Sequence, residues 1–362
     1  MTLDIQIPKR SDVMEAHKKD GGLVAAVFPI HYPRALLRAH GILPVEAWGP
    51  PKADTTLGDA HLQSYTCSLV RHGLSYLLAG GFDGVDLFLV PHCCDSLQGL
   101  GSLLNDFILR KAPAFNLYLP RDRRQIDIDF LAKEIAALSA RLEGLTKKTL
   151  DDESLTAAID EEEKATAAVG RLFKKRRNLG CTNREFYTLV RAREYLPAEQ
   201  FTTLVEQVLA GARETTNDDI PIVVSGVVPE PMDILDSLTD MGTIIVADDY
   251  LSMGRRQYKT TERIDPFTKM AEAIVLGPPD STRGSSFSDR LDHLLNLVRT
   301  SEACGVVFHQ IKFCEPEQFY LPALKKGLED AQVPTLVIEV DIGDPLASQV
   351  VTRLEAFVEM IS

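Results

Sequence analysis

Short apolar, β-branched runs alternate with amphipathic stretches along the chain, and the alternation occurs twice. The first set is LVAAVF (23–28), PVEAW (44–48), VDLFLV (85–90) and AFNLYL (114–119), with PRALLRAHG and SLVRHGLSYLLAGG between its members. The second is IPIVVSGVV (220–228), GTIIVAD (242–248), GVVFHQI (305–311) and PTLVIEV (334–340), separated by PEPMDILDSLTDMG, DRLDHLLNLVRTS and PEQFYLPALKKGLEDA. Continuous apolar runs of this length read as strands buried on both faces, and strands that alternate with helices pair in parallel. The pattern predicts an α/β protein with two Rossmann-like (flavodoxin-like) parallel-sheet domains. From about 126 to 215 the apolar spacing is helical, in FLAKEIAALSARLEGL, LTAAIDEEEKATAAVGRLFKKRRN and FTTLVEQVLAGA, without a convincing strand. The expected division is an N-terminal α/β domain over 1–125, a helical insert over 126–215 and a C-terminal α/β domain over 216–362. GPPDSTRGSS at 277–286, rich in Gly, Pro and Ser, is expected to be a mobile loop.

A chain of 362 residues is long enough for several cores, and its 45% hydrophobic and 25% charged residues suit a soluble globular protein. No window has the apolar length to span a bilayer, and the first twenty residues lack the apolar centre of a secretory signal, so a cytoplasmic location away from membranes is expected. A net charge of −13, from 52 acidic against 39 basic residues, removes the general case for a nucleic-acid partner. The basic run RLFKKRRN (171–178) reads as a solvated helix face, with a landing site for substrate phosphates as the alternative. Without an export signal the six cysteines are expected to stay reduced, which leaves core packing, metal binding or catalysis.

Three of them fall at strand ends or helix starts: Cys67 in SYTCSLVRHG, Cys94 in LFLVPHCCDSLQ and Cys314 in VVFHQIKFCEPEQ. Folds of this class bind ligands there, and the amide N–H groups and dipole of a helix N-terminus favour thiolates. The third strand of each half leads directly into Cys94 or Cys314, so facing halves would bring the two thiols together. Cys67 would join them from the preceding helix, for which Ser64 is the expected cap and Gly80-Gly81 the stop. Asp95 is the expected cap after Cys94, and Pro316 marks a first helical turn after Cys314. Three soft ligands suit an iron–sulfur cubane with one open iron corner. Buried inert cysteines, and zinc shared with His92 and His309, remain open. Cys93, Cys181 and Cys304 are weaker candidates, and no GxSxG, Walker or HExxH motif occurs.

HCCDSLQ, SYTCSLV and IKFCEPEQ, on these elements, resemble the 2-hydroxyacyl-CoA dehydratase and benzoyl-CoA reductase family. The likeness runs from FPIHYPRALLRAHGILPVEAWG through DDYLSMGRR to LPALKKGLEDAQVPTLVIEVD, and the length is that of the family's smaller subunit. The resemblance implies a [4Fe–4S] cluster held by Cys67, Cys94 and Cys314, a homologous larger subunit in a heterodimer or heterotetramer, and an acyl-CoA substrate. It also implies an ATP-dependent [4Fe–4S] activator protein that delivers one low-potential electron. The electron would reach the thioester carbonyl by way of the cluster, and the resulting ketyl radical anion would expel a hydroxyl group or begin reduction of an aromatic ring. Glu46 is a candidate proton carrier, with a surface carboxylate as the alternative. Arg255 and Arg256 are candidates for coenzyme A phosphates or for ordering their loop. The extra thiol of Cys93 leaves open a double-cubane reductase of small molecules, and a non-redox bilobed ligand-binding or scaffolding subunit is the rival from another class.

Overall fold

The computed structural model describes residues 6–50, 53–108, 112–212 and 218–362. The expected boundary at 215/216 lies outside the described residues. Among the described residues eight strands form: β1 Leu23–Val27, β2 Ile42–Glu46, β3 Leu87–His92, β4 Ala114–Tyr118, β5 Ile220–Gly226, β6 Thr243–Tyr250, β7 Gly305–Ile311 and β8 Thr335–Val340. They make two four-stranded sheets of identical topology, ordered β2-β1-β3-β4 and β6-β5-β7-β8, with every pair parallel. This is the α/β architecture expected of two Rossmann-like units. The PVEAW run enters its strand two residues early, because Ile42 pairs with Leu23 and the ladder ends at Val27 opposite Glu46. Pro44 is tolerated because β2 is an edge strand, where a missing N–H leaves the ladder intact.

Both faces of the first sheet are covered, which is why its strands read as unbroken apolar runs. Val24 and Ala26 of β1 join one core, shared with Val224, Val307 and Ile338 of the second sheet. Ala25 and Val27 face the other core, made with the helices Gln125–Thr146 and Pro266–Val275. A helix from the second half of the chain thus packs on the first sheet. Between β4 and β5 the described residues form helices, chiefly Gln125–Thr146, Asp152–Lys174, Asn183–Arg191 and Ala198–Ala210. Within the basic run, Arg176 departs from the expected solvated face. It is buried, donates to the Cys181 carbonyl at 3.0 Å and Asn183 Oδ1 at 2.9 Å, and lies over the Phe186 ring. Among the described residues no helix is long and apolar enough to cross a membrane.

Residues 277–286, expected to be mobile, are instead fastened into the interior. Asp280, Ser281, Thr282, Arg283 and Ser285 are buried. The Asp280 carboxylate accepts from Thr282 Oγ1 at 2.6 Å, the Asp280 amide donates to Ser285 Oγ at 2.9 Å, and Arg283 donates to the Ile274 carbonyl at 2.6 Å. Gly and Pro here shape a tight polar turn whose side chains find their partners inside the protein.

Candidate active site at the carboxyl ends of the two sheets

Each of the three cysteines directly precedes a helix: Cys67 before Ser68–Leu78, Cys94 before Asp95–Leu103 and Cys314 before Glu315–Asp330. Ser64 is not the cap of the first, because residues 63–66 close their own turn, with the Thr66 amide donating to the Gln63 carbonyl. Asp95 likewise is the first helical residue, and Cys94 takes the cap position. Pro316 occupies the first helical turn, where its missing N–H costs nothing.

Cys67 and Cys314 meet across the two halves. The Ser68 amide donates to the Lys312 carbonyl at 3.3 Å, tying the two loops together. A hydrogen bond from Cys314, with the Leu69 and Val70 amides, favours the Cys67 thiolate against the burial that opposes it. The same contact, with burial and the nearby Glu317 and Cys94 charges, pushes the Cys314 thiol well above its ordinary range. Cys94 therefore stands within electrostatic reach of Cys314. Cys93, also buried, hydrogen-bonds Cys94, which together with burial raises the Cys93 thiol. Cys181 is buried beside Arg176, and Cys304 is exposed.

Among the described residues, no three His, Cys, Asp or Glu side chains are gathered tightly enough to hold a single metal ion. The zinc alternative finds no such group; His309 Nδ1 lies 2.8 Å from the Tyr250 hydroxyl, and its Nε2 is buried without a hydrogen-bond partner among the described residues. A cubane places its protein ligands on separate iron corners, and thiolate sulfur is its usual donor. Cysteines at three helix starts, on loops from both halves, fit that donor requirement.

The charged residues of the site come from both halves. Glu46, at the end of β2, is fully buried, so it is not a surface carboxylate. Its Oε1 accepts from Arg256 at 2.7 Å, Arg34 at 3.0 Å and Tyr32 at 3.0 Å. Burial opposes its ionisation, but Arg256 and Arg34 outweigh burial and hold the carboxyl below its usual range. Arg255 faces the opposite way in chemical terms. Its terminal nitrogens are taken by Glu317 (2.6 and 2.9 Å), Asp249 (3.0 Å) and Asp280 (3.3 Å), and it is fully buried. Those contacts fit the ordering of its loop rather than a phosphate, whereas Arg256 lines a cavity.

That cavity, of about 240 Å³, is bounded by Glu46, Arg34, Glu162, Arg193, Ser252 and Tyr258, with an apolar wall from the helices at 159–169 and 270–274. Glu46 Oε2, Glu162 Oε1, Arg193 Nη1 and Ser252 Oγ are buried there without a hydrogen-bond partner among the described residues. Buried polar atoms are normally satisfied, so this group calls for a ligand or ordered water. Gln257 and Lys259 also line a wider groove of about 850 Å³, which makes the two spaces neighbours. A smaller space of about 30 Å³ lies at His92, Cys93, Cys94, Arg121 and Arg283.

Asp248 lines the groove, buried, and accepts from the Tyr250 amide, the Gly254 amide and the Tyr187 hydroxyl. Burial pushes its carboxyl up to about 7 from the ordinary 3.8. The folded chain then binds this proton more tightly than the unfolded chain, so the stability it contributes falls as pH rises between about 4 and about 7. Asp248→Asn is expected to gain about 2–3 kcal/mol more over wild type at pH 8 than at pH 5 in urea denaturation. Equal gains at the two pH values would contradict the assignment.

The fold and its thiols define an α/β protein of two like parallel sheets whose carboxyl ends face each other around cysteines at helix starts. The chain belongs to the 2-hydroxyglutaryl-CoA dehydratase D-component family, whose model matches residues 29–361, and is an enzyme subunit of that class. It is 25% identical to the (R)-phenyllactyl-CoA dehydratase beta subunit of Clostridium sporogenes, over 99% of this chain and 96% of that protein. It is 26% identical to the beta subunit of (R)-2-hydroxyglutaryl-CoA dehydratase of Acidaminococcus fermentans, over 96% and 95%. Similarity extends to one of the subunits of benzoyl-CoA reductase of Thauera aromatica, 26% identical over 86% of this chain and 83% of that protein.

Proposed function

We propose that the chain is the iron–sulfur subunit of a 2-hydroxyacyl-CoA dehydratase or benzoyl-CoA reductase-type enzyme, with Cys67, Cys94 and Cys314 holding a [4Fe–4S] cluster. The meeting of Cys67 with Cys314 across the two halves, with Cys94 within electrostatic reach of Cys314, supports this reading. When bound, the cluster supplies one low-potential electron, received from an ATP-dependent activator, to an acyl-CoA thioester carbonyl. The protein's own contribution is positioning, charge and exclusion of water. The Leu69 and Val70 amides at a helix start favour the Cys67 thiolate. The 240 Å³ cavity takes the acyl group, and the 850 Å³ groove that adjoins it at Gln257 and Lys259 takes the coenzyme A arm. Glu46, ionised and with Oε2 free, accepts a hydrogen bond from the acyl group or carries a proton to or from it. Arg256 and Ser252 offer donors to an acyl oxygen.

The whole enzyme includes a homologous larger subunit, in keeping with the subunit names of the relatives. The cytoplasm is the compartment that keeps such thiols reduced. The contact of Cys93 with Cys94 favours one second reading, a double-cubane reductase of small molecules. About eight irons per cluster unit would support that reading, and about four would exclude it.

The functional test is anaerobic reconstitution of the chain with its larger partner and the activator, ATP and a low-potential reductant. Lactoyl-CoA, phenyllactyl-CoA, 2-hydroxyglutaryl-CoA and benzoyl-CoA serve as probes. ATP-dependent turnover of at least one is expected, and a fully iron-loaded complex that converts none would overturn the proposal.

A further inference from the structure

We infer that the Glu317 carboxylate, clamped by Arg255 in the first turn of the helix that begins after Cys314, tunes the proposed cluster: its fixed negative charge opposes the added electron and keeps the reduced cluster a strong reductant. The inference rests on the proposal that Cys67, Cys94 and Cys314 hold a cluster, and it deepens that proposal by assigning a residue that sets the potential.

The placement follows from the helix and its partner. Cys314 caps the helix Glu315–Asp330, and Glu317 is its third residue. A glutamate at this position reaches back toward the cap residue, because helical side chains tilt toward the N-terminus. Arg255 fixes the carboxylate there: Nη1 donates to Oε1 at 2.6 Å and Nη2 donates to Oε2 at 2.9 Å, a paired contact with a planar fork. Arg255 is anchored in turn by Asp249 at 3.0 Å and Asp280 at 3.3 Å. Glu317 is 3% exposed and Arg255 0%, so water and salt screen this charge far less than a surface one. After Cys67 and burial, the Glu317 charge adds to what disfavours the Cys314 thiolate, which places the carboxylate within electrostatic reach of the sulfur.

An acid in a first helical turn ordinarily serves the helix dipole from solvent. Glu315 does so, exposed one residue after Cys314. Glu317 is instead drawn into the interior, where a charge requires a buried partner. Three arginines face three carboxylates in this network: Arg255, Arg290 at 2.6 and 2.8 Å from Asp249, and Arg283 at 4.0 Å from Asp280. His31 lies between Asp280, at 2.7 Å, and the Tyr258 hydroxyl, at 2.6 Å; burial lowers its titration to about 4, so it adds no charge at neutral pH. Of the three carboxylates, Glu317 is the one on the helix of a cluster cysteine. Neutralising it leaves one arginine charge unmatched beside that helix.

Gain of one electron makes a cluster and its thiolates one unit more negative, and a fixed carboxylate nearby makes that gain less favourable. No bond and no proton moves. The electron supplied by the activator in the proposed reaction passes on to the acyl-CoA thioester, so the carboxylate changes only how strongly it is held in between.

The experiment is a redox titration of the anaerobically purified full chain, followed by electron paramagnetic resonance of the reduced cluster. Glu317→Gln keeps the side-chain shape and one acceptor for Arg255. It is expected to retain wild-type iron and to favour the reduced cluster about tenfold at a fixed potential, an upward shift of about 59 mV for a one-electron couple. Glu329→Gln removes the same charge from the exposed far end of the same helix and is expected to change that ratio less than about twofold. If Glu317→Gln does not fold, Arg255→Met combined with Glu317→Met carries the test, with the shift expected in the same direction. A wild-type potential in the variant that folds, a shift no larger than that of Glu329→Gln, or a folded variant without iron would overturn the tuning while leaving the cluster assignment standing. A wild-type chain that binds no iron would overturn both.

Discussion

Arg255→Ala is expected to destabilise the fold by about 3–5 kcal/mol, the range found when one partner of a buried ion pair is removed. Arg255 is wholly buried and touches three carboxylates, Glu317, Asp249 and Asp280. Asp249 would keep Arg290, at 2.6 and 2.8 Å, and Asp280 would keep His31. Glu317 has no other cation within salt-bridge distance among the described residues, so it bears most of the loss. Because Glu317 lies in the first turn of the helix that begins after Cys314, the damage is expected to reach the thiol site as well as the core. A double-mutant cycle separates the two terms. Arg255→Met combined with Glu317→Met is expected to be less destabilising than Arg255→Met alone, since paired removal leaves no stranded charge. Urea denaturation under anaerobic conditions measures this, and a loss below about 1 kcal/mol for Arg255→Ala would contradict the role given to the network.

Cys67→Ser is the second large effect. Cys67 is held at a helix start, receives the Leu69 and Val70 amides, and meets the Cys314 thiol. A serine hydroxyl keeps the size and the cap position, but it does not supply a soft thiolate at neutral pH, so iron is expected to fall to less than about half of wild type while the fold survives. Cys304→Ser and Cys181→Ser, at an exposed position and beside Arg176, are expected to leave iron content unchanged. Metal analysis of anaerobically purified variants checks the contrast. Equal iron in Cys67→Ser and Cys304→Ser would remove Cys67 from the ligand set.

Much of the architecture is written in short-range pattern. The buried strands of a doubly covered parallel sheet are apolar on both faces, so LVAAVF and GVVFHQI announce themselves without partners. The repeat of the pattern also makes Cys94 and Cys314 equivalent, each following the third strand of its sheet. The polar chemistry is less accessible because it is long-range. His31 is separated from Tyr258 and Asp280 by more than two hundred residues of chain, and no spacing in the sequence links the three. The positive φ at Ile30 has no sequence signal, since a β-branched residue is among the least expected in that region. GPPDSTRGSS shows the converse error: turn-forming composition speaks to backbone shape and not to mobility, which depends on Asp280 finding His31 and Arg255. In RLFKKRRN, Arg171, Lys174 and Lys175 are exposed as expected of a solvated face, and only Arg176 turns inward, because its terminal nitrogens find the Cys181 carbonyl and Asn183 Oδ1.

Joint binding of a single cubane by sulfur atoms from both halves of this chain is open to a decisive test. Iron and acid-labile sulfide per chain are measured after strictly anaerobic purification of wild type and of the Cys67→Ser, Cys94→Ser and Cys314→Ser variants. About four irons and four sulfides are expected in the wild-type chain, with a marked loss in each variant. A colourless, iron-free wild-type chain, or undiminished iron in any one of the three variants, would contradict the assignment.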